Sequence, residues 1–449
     1  VKRFVSILNS MRLSLFGLAY GIVGVLVAGT LNRVLLVEQG LPKALVGLIF
    51  ALPYLESPIR VWFGYRSDGF PIFGKRREPF IVGGAILGGL AVVLVTWLTV
   101  RAEAGAWAIL GALTLSMLFY GFGRSLAHNS FQALLTDKYA PKTRRTVATL
   151  FEVVTLVGSV IAGGLIGAQL EVYNPEALMR VSLGVMVVFI VLALVAAPGQ
   201  EPRNAALAAQ TSQVRERPFW ETVKTVLLPD PQVRLFFTLI IFAFVGTLAQ
   251  DVWLEGYGGE VLGMSVGDTT RLTQFWGPGV LISMLLSGIV LLPLLGHLLV
   301  MRIGFVSSAL AFVGVILVGF QGNADLFRWL VFGMGLGTGL AGAGMLSGVV
   351  TFSSPMRAGL LMGVWGMANA LGRALGTFMG GALAGTVEAV TGSPLFAYSS
   401  IFALEAAMLV VALVLSFRLR PDASPAAAVP AEATPEAVGM QLQPATRAG

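Results

Sequence analysis

Apolar runs of about 20 residues recur from one end of this 449-residue chain to the other, each long enough to cross a hydrocarbon core of roughly 30 Å. In that medium no water satisfies backbone N–H and C=O groups, so such a run must close its own hydrogen bonds as a helix or join a closed barrel. The runs are continuous rather than alternating, which selects helices. Only 12% of the residues are charged and 56% are hydrophobic, about half the charge of an ordinary soluble domain. The expected class is an all-α, polytopic membrane protein. Gly sits inside the apolar runs, as in "GGAILGG" and "GMGLGTGLAGAG", where small residues let helix backbones approach closely. The chain has no Cys, which excludes disulfides and thiolate chemistry.

The runs predict twelve transmembrane helices, near 13–37, 43–65, 79–100, 106–136, 145–170, 179–197, 233–252, 269–296, 303–320, 325–351, 359–386 and 397–417. The basic start and long first run predict an uncleaved first span rather than a signal peptide. Of 30 Lys and Arg, only Lys43, Arg101, Arg180, Arg271 and Arg328 fall on the side opposite the termini, while Arg33, Arg60, Arg124 and Arg373 lie within spans. The positive-inside rule then places both termini in the cytoplasm. The net charge of +7 is explained by topology and points to no nucleic acid.

Residues 198–232 form the longest internal polar segment and separate a six-helix bundle over 1–197 from a second over 233–417. Within that linker, 219–228 predicts a short amphipathic helix on the membrane surface. The Pro/Ala-rich tail, 418–449, predicts disorder. An internal echo supports two related halves, because Pro141 to Gly158 and Pro355 to Gly372 are both 17 residues apart. Between spans 2 and 3, Gly64 and Asp68 are followed by Gly74, Lys75, Arg76 and Arg77. With about three extra residues between its two parts, this resembles the corresponding cytoplasmic loop of the major facilitator superfamily, whose fold of two six-helix pseudo-repeats the resemblance implies. The alternative is an ordinary positive-inside turn.

Seven ionisable residues fall inside the spans: Arg33, Glu56, Arg60, Arg124, Glu152, Arg373 and Glu405. Each costs several kcal/mol at mid-depth unless paired or hydrated. Glu56 and Arg60 share a helix face at i,i+4 between Pro53 and Pro58. In the superfamily layout spans 2 and 11 face each other, so Glu56 and Arg373 are expected to bridge, and Arg124 with Glu152 forms a second candidate pair. A gating or proton relay and a structural ion pair both remain open for these groups. Glu405 is expected near the interface. No HExxH, P-loop or nucleophile-elbow pattern occurs, and no catalysis is expected.

The most distinctive stretch is "AQDVWLEGYGGEVLGM", 249–264. Asp251 and Glu255 are i,i+4, with Trp253, Leu254 and Tyr257 as an apolar face, which predicts an amphipathic extension at the far membrane surface, broken by Gly256, Gly258 and Gly259. Gln250, Asp251, Val252, Leu254, Glu255, Tyr257, Gly258, Gly259, Glu260 and Val261 resemble a string of the PucC/LhaA group, the bacteriochlorophyll delivery family of that superfamily, with Gly256 in place of Pro. "MRLSLFGLAYGIVGVLVAGTLNRVLLVEQGLP", "ALPYLESPIRVWFGYRSD" and "GMSVGDTTRLTQFWGPG" share the resemblance. It implies an assembly factor in a photosynthetic inner or intracytoplasmic membrane, carrying (bacterio)chlorophyll as cargo and meeting light-harvesting polypeptides. A proton-coupled transporter of a small solute is the alternative. Asn32, Arg33, Arg124 and His128 are the candidate polar anchors for pigment. His128 is deep enough to be an axial ligand to a chlorin magnesium, though a hydrogen-bonded bundle residue is the simpler role. No resident metal is expected.

Overall fold

The computed structural model describes residues 2–56, 72, 74–201, 229–351 and 358–420. Arg60, Gly64 and Asp68 lie outside the described residues, as do the helix expected at 219–228, most of the linker and nearly all of the tail.

The described residues are almost entirely helical. In order they form α1 (Lys2–Gly24), running on through π-helical Val25–Leu31 and Val34–Glu38, then α2 (Lys43–Leu55), α3 (Glu78–Thr99), α4 (Trp107–Lys138), α5 (Pro141–Gln169) and α6 (Pro175–Ala196). The second half comprises α7 (Pro231–Leu248), α8 (Gln250–Glu260), α9 (Val266–Thr270), α10 (Thr273–Leu286), α11 (Leu292–Gln321), α12 (Ala324–Thr351), α13 (Ala358–Thr391) and α14 (Pro394–Ser416). Nine helical stretches among the described residues are long and apolar enough to cross a membrane. One of them, Val266–Gln321, carries a kink at Gly296, whose φ of 74° leaves the helical region and demands glycine.

Local chemistry sets the helix ends. Asn174 accepts hydrogen bonds from the N–H groups of Glu176 and Ala177, and Asp230 does the same for Gln232 and Val233. Pro141, Pro175, Pro231 and Pro394 open their helices, where a missing N–H costs nothing.

Helix packing relies on small residues. A Cβ on Gly123 would lie 2.4 Å from the backbone N of Gly88, and one on Gly304 would lie 2.3 Å from that of Ala341. The spacing echo has a physical counterpart. Gly158 admits α1 at Leu18 and Gly372 admits α7 at Phe244, each with a notional Cβ 2.4 Å from its neighbour, so the two glycines perform matching tasks in the two halves. Large apolar side chains such as Leu90, Trp97, Phe119, Leu310 and Leu317 remain exposed, as expected for a lipid-facing belt rather than a soluble surface.

The halves meet at the end of the bundle away from the chain termini. There α2 packs on α13 and α5 packs on α10. A Cβ on Gly381 would come within 2.7 Å of the Lys43 carbonyl and 3.0 Å of Gly47 Cα, and one on Gly267 within 2.5 Å of the Gly167 carbonyl. At the opposite end the basic cluster works inside the first half. The N–H groups of Arg76 and Arg77 donate to the Glu201 carboxylate at 2.8 and 3.0 Å, and Arg77 Nε reaches Asp137 at 2.9 Å. Burial and nearby Arg12 push the Lys138 ammonium below the usual lysine range in the same region.

Candidate functional site

The acidic stretch is not a surface extension. It forms α8, which continues α7 so that Pro231–Glu260 is a single apolar span. Gln250, Trp253, Glu255 and Tyr257 are buried in it. The glycines expected to break the helix lie within it and serve packing instead. A Cβ on Gly256 would meet the Tyr398 hydroxyl at 2.5 Å, and one on Gly259 would meet Arg33 Nε at 3.1 Å. Amphipathic periodicity was misleading because the polar face turns toward other helices rather than toward water.

Each carboxylate of α8 has a distinct task. Asp251 accepts from Arg373 on α13 at 2.5 Å. Glu260 meets Lys43 of the first half at 2.7 Å and accepts from the Tyr398 hydroxyl at 3.1 Å. Lys43 also pairs with Glu388 at 2.9 Å and lies 4.8 Å from the Tyr398 ring centre. Glu255 points at the first half, where a Cβ on Gly29 would fall 1.9 Å from its Oε1, so only glycine leaves the carboxyl room. Thr270 donates to Glu255 at 3.4 Å, and Thr270 and Thr30 are linked hydroxyl to hydroxyl at 3.2 Å. Arg33 completes the seam, pairing with Glu38 at 2.5 Å and donating across it to the Met264 carbonyl at 3.1 Å. These contacts form a polar latch closing one end of the bundle.

Several expected pairings are therefore redrawn. Arg373 takes Asp251 rather than Glu56, because α8 brings a carboxylate closer than α2 does. Glu56 is buried at the end of α2, with Oε1 against Gly121 of α4. No Arg124–Glu152 pair forms among the described residues, since Glu152 sits on an exposed position of α5. Glu405 is not interfacial, being 2% exposed within α14 and packed against Gly246 of α7.

The four candidate anchors divide between two places. Asn32 and Arg33 belong to the sealed end, and both amide atoms of fully buried Asn32 lack hydrogen-bond partners. Arg124 instead lines a pocket between α1, α2 and α4 that opens to solvent, whose wall includes Val27, Phe50, Tyr54, Met117 and Tyr120. Its guanidinium lies 4.0 Å from the Tyr20 ring centre. His128 stands outside that wall, with its imidazole stacked on Tyr20 at 4.8 Å and tilted against Phe151 at 5.6 Å. Gln132 Nε2 lies 3.5 Å from His128 Nε2. The aromatic packing explains why His128 is positioned beside the pocket rather than at its face. On the other side, Arg373 lies 5.8 Å from the Tyr54 ring centre, so this ring faces both halves. Lys43, Glu388, Tyr20, Tyr54 and Tyr120 were not singled out as site residues by sequence. A lysine opening an apolar helix on the side poor in basic residues was the one available signal.

Two helical halves sealed at one end define a membrane protein with the major facilitator superfamily transporter fold. A solved bacterial homolog of the human lysosomal transporter Spinster, in its inward-facing and unoccupied conformation, superposes with a TM-score of 0.70 at 15% identity, covering 92% of this chain and 96% of that one. Within this fold the chain belongs to the PucC family, whose model, described as PUCC protein, matches residues 30–422. Protein PucC of Rhodobacter capsulatus is 32% identical over 428 residues, covering 91% of each chain. A relative from the same species named bacteriochlorophyll synthase 44.5 kDa chain is 30% identical over 426 residues, covering 91% of this chain and 94% of that one.

Proposed function

We propose that this protein is an integral-membrane (bacterio)chlorophyll-delivery factor that serves the assembly of light-harvesting complexes. It works without catalysis, with both termini in the cytoplasm of a photosynthetic inner or intracytoplasmic membrane. The observation that carries the reading is the match to the PucC family along almost the whole helical chain, residues 30–422. The name of the relative called bacteriochlorophyll synthase 44.5 kDa chain supports a pigment connection. The latch at one end leaves rocking of the halves as the means of loading and release. Chlorin is the cargo and antenna polypeptides are the recipients.

The transporter fold favours a second reading, proton-coupled movement of a small solute. Purification in mild detergent from a pigment-producing host separates the two. Chlorin absorption bands in near-stoichiometric amount, with antenna polypeptides co-purifying, are expected. A colourless protein that catalyses proton-dependent solute uptake, lost in Glu56→Gln, would replace delivery with transport.

A further inference from the structure

Most carboxylates of the latch have a cation built in. Glu38 pairs with Arg33, Glu260 and Glu388 with Lys43, and Asp251 with Arg373. Glu255 is different. It is 5% exposed, and among the described residues no cation stands within ion-pair distance of its carboxyl. Its hydrogen bond from the Thr270 hydroxyl is long, at 3.4 Å. Arg33 is the cation whose charge reaches it, but that guanidinium is committed to Glu38 and to the Met264 carbonyl. Oε1 of Glu255 lies against Gly29 of the first half, in a π-helical stretch, a departure from regular helix that recurs at functional sites. An ion in this place would lose its water without gaining a counter-charge, a cost that protonation removes.

We propose that Glu255 is a proton-binding site of the latch, its carboxyl carrying a proton while the halves are closed and giving it up when they part. On closure an O–H bond forms at one carboxylate oxygen. On opening that bond breaks, the proton passes to the entering water, and the carboxylate is hydrated. Opening is the rocking motion proposed above, so this step rests on that reading, whereas the identity of the cargo does not enter. Other charged or titratable groups on the elements packed against α8 are committed or distant. Asp268 of α9 pairs with Arg328, the Tyr398 hydroxyl of α14 donates to Glu260, and Arg234 of α7 lies at the far end of its helix. Glu405 of α14 is a second buried acid, but it packs on Gly246 of α7 within the second half, where rocking leaves its surroundings unchanged. Glu255 is the acid whose desolvation depends on the seam. Because the closed state holds one more proton than the open one, lowering the pH favours closure and raising it favours opening.

Two readouts on the detergent-purified protein test this. Infrared spectra at neutral pH should contain the carbonyl stretch of a neutral buried carboxyl, which disappears in Glu255→Gln and shifts in Glu255→Asp. For the seam, a single Thr377→Cys facing Gly47 is labelled with a maleimide across a pH series. Each rate is divided by that of the same protein unfolded in denaturant, which removes the titration of the thiol itself. The normalised rate should rise with pH by up to about tenfold per unit, the slope for release of one proton. In Glu255→Gln, whose amide mimics the neutral acid, it should be slow and flat. A carbonyl band unchanged in Glu255→Gln overturns the proton site. A normalised rate independent of pH in the Thr377→Cys protein, or a pH dependence that survives adding Glu255→Gln, overturns the link to opening. Should Glu255→Gln fail to fold, the band shift in Glu255→Asp and the pH series on Thr377→Cys alone decide the matter. Chlorin takes no part in either measurement, so failure of the delivery reading and failure of this inference are told apart.

Discussion

Arg373 on α13 and Arg124 on α4 are both arginines in the middle of apolar helices, and their surroundings could hardly differ more. Arg373 donates to Asp251 at 2.5 Å, on the span that also carries the latch carboxylates Glu255 and Glu260. Arg124 faces a pocket and the face of Tyr20. The first is an ion whose counter-charge is built into the chain, so its role is to hold α13 against α8. The second has, among the described residues, an aromatic ring rather than a carboxylate as its close partner. In a low-dielectric medium that difference decides how much each cation contributes to holding its helix in place.

The comparison breaks most readily at Asp251. Asp251→Ala strands Arg373 and is expected to cost about 3 kcal/mol, the low end for removing one member of a buried pair because both side chains keep some exposure. Thermal unfolding in detergent should show a lowered midpoint that Arg373→Met partly restores in the double variant. Arg124→Met should cost about 1 kcal/mol or less, or even stabilise the protein, because it removes a buried ion with no carboxylate partner among the described residues. If Arg124→Met proved as damaging as Asp251→Ala, the distinction drawn here would be lost.

The latch gives a smaller effect with a cleaner readout. The natural chain has no Cys, so a single Thr377→Cys, at a position 1% exposed and facing Gly47 across the seam, reports opening through maleimide labelling. Adding Lys43→Met removes the pairs to Glu260 and Glu388 and should speed labelling about tenfold, equivalent to about 1.4 kcal/mol of seam stability. An unchanged rate would show that glycine packing alone closes this end. The smallest effect belongs to Arg328, which pairs with Asp268 and the exposed Asp325 at 3.1 and 2.5 Å. Arg328→Ala should shift the unfolding midpoint by less than about 1 kcal/mol's worth, as exposed ion pairs do.

Part of this was readable before any coordinates. Apolar run length gave the helices, but the starts at Pro141, Pro175, Pro231 and Pro394, with Asn174 and Asp230 as caps for two of them, fall ahead of the expected spans. The string 250–261 was correctly set apart as distinctive, yet its placement at the surface was wrong. Helical periodicity separates a polar face from an apolar one without saying whether water or protein lies beyond the polar face. Glu405 was placed near the interface by its position early in the last span, but it lies mid-helix in α14 and is buried against α7. Arg124 was identified as a site residue because a charge in lipid demands explanation, whereas Tyr20, Tyr54 and Tyr120 passed as ordinary membrane aromatics.

The sequence by itself determined the class, an all-helical membrane protein, because a lipid interior leaves an apolar chain few ways to satisfy its backbone. Only the tertiary structure decided which buried ions are partners. Lys43 and Glu260 are 217 positions apart, and Arg373 and Asp251 are 122 apart. Residue spacing fixes what shares a helix face, but which face meets which neighbour depends on how closely glycines let the helices approach.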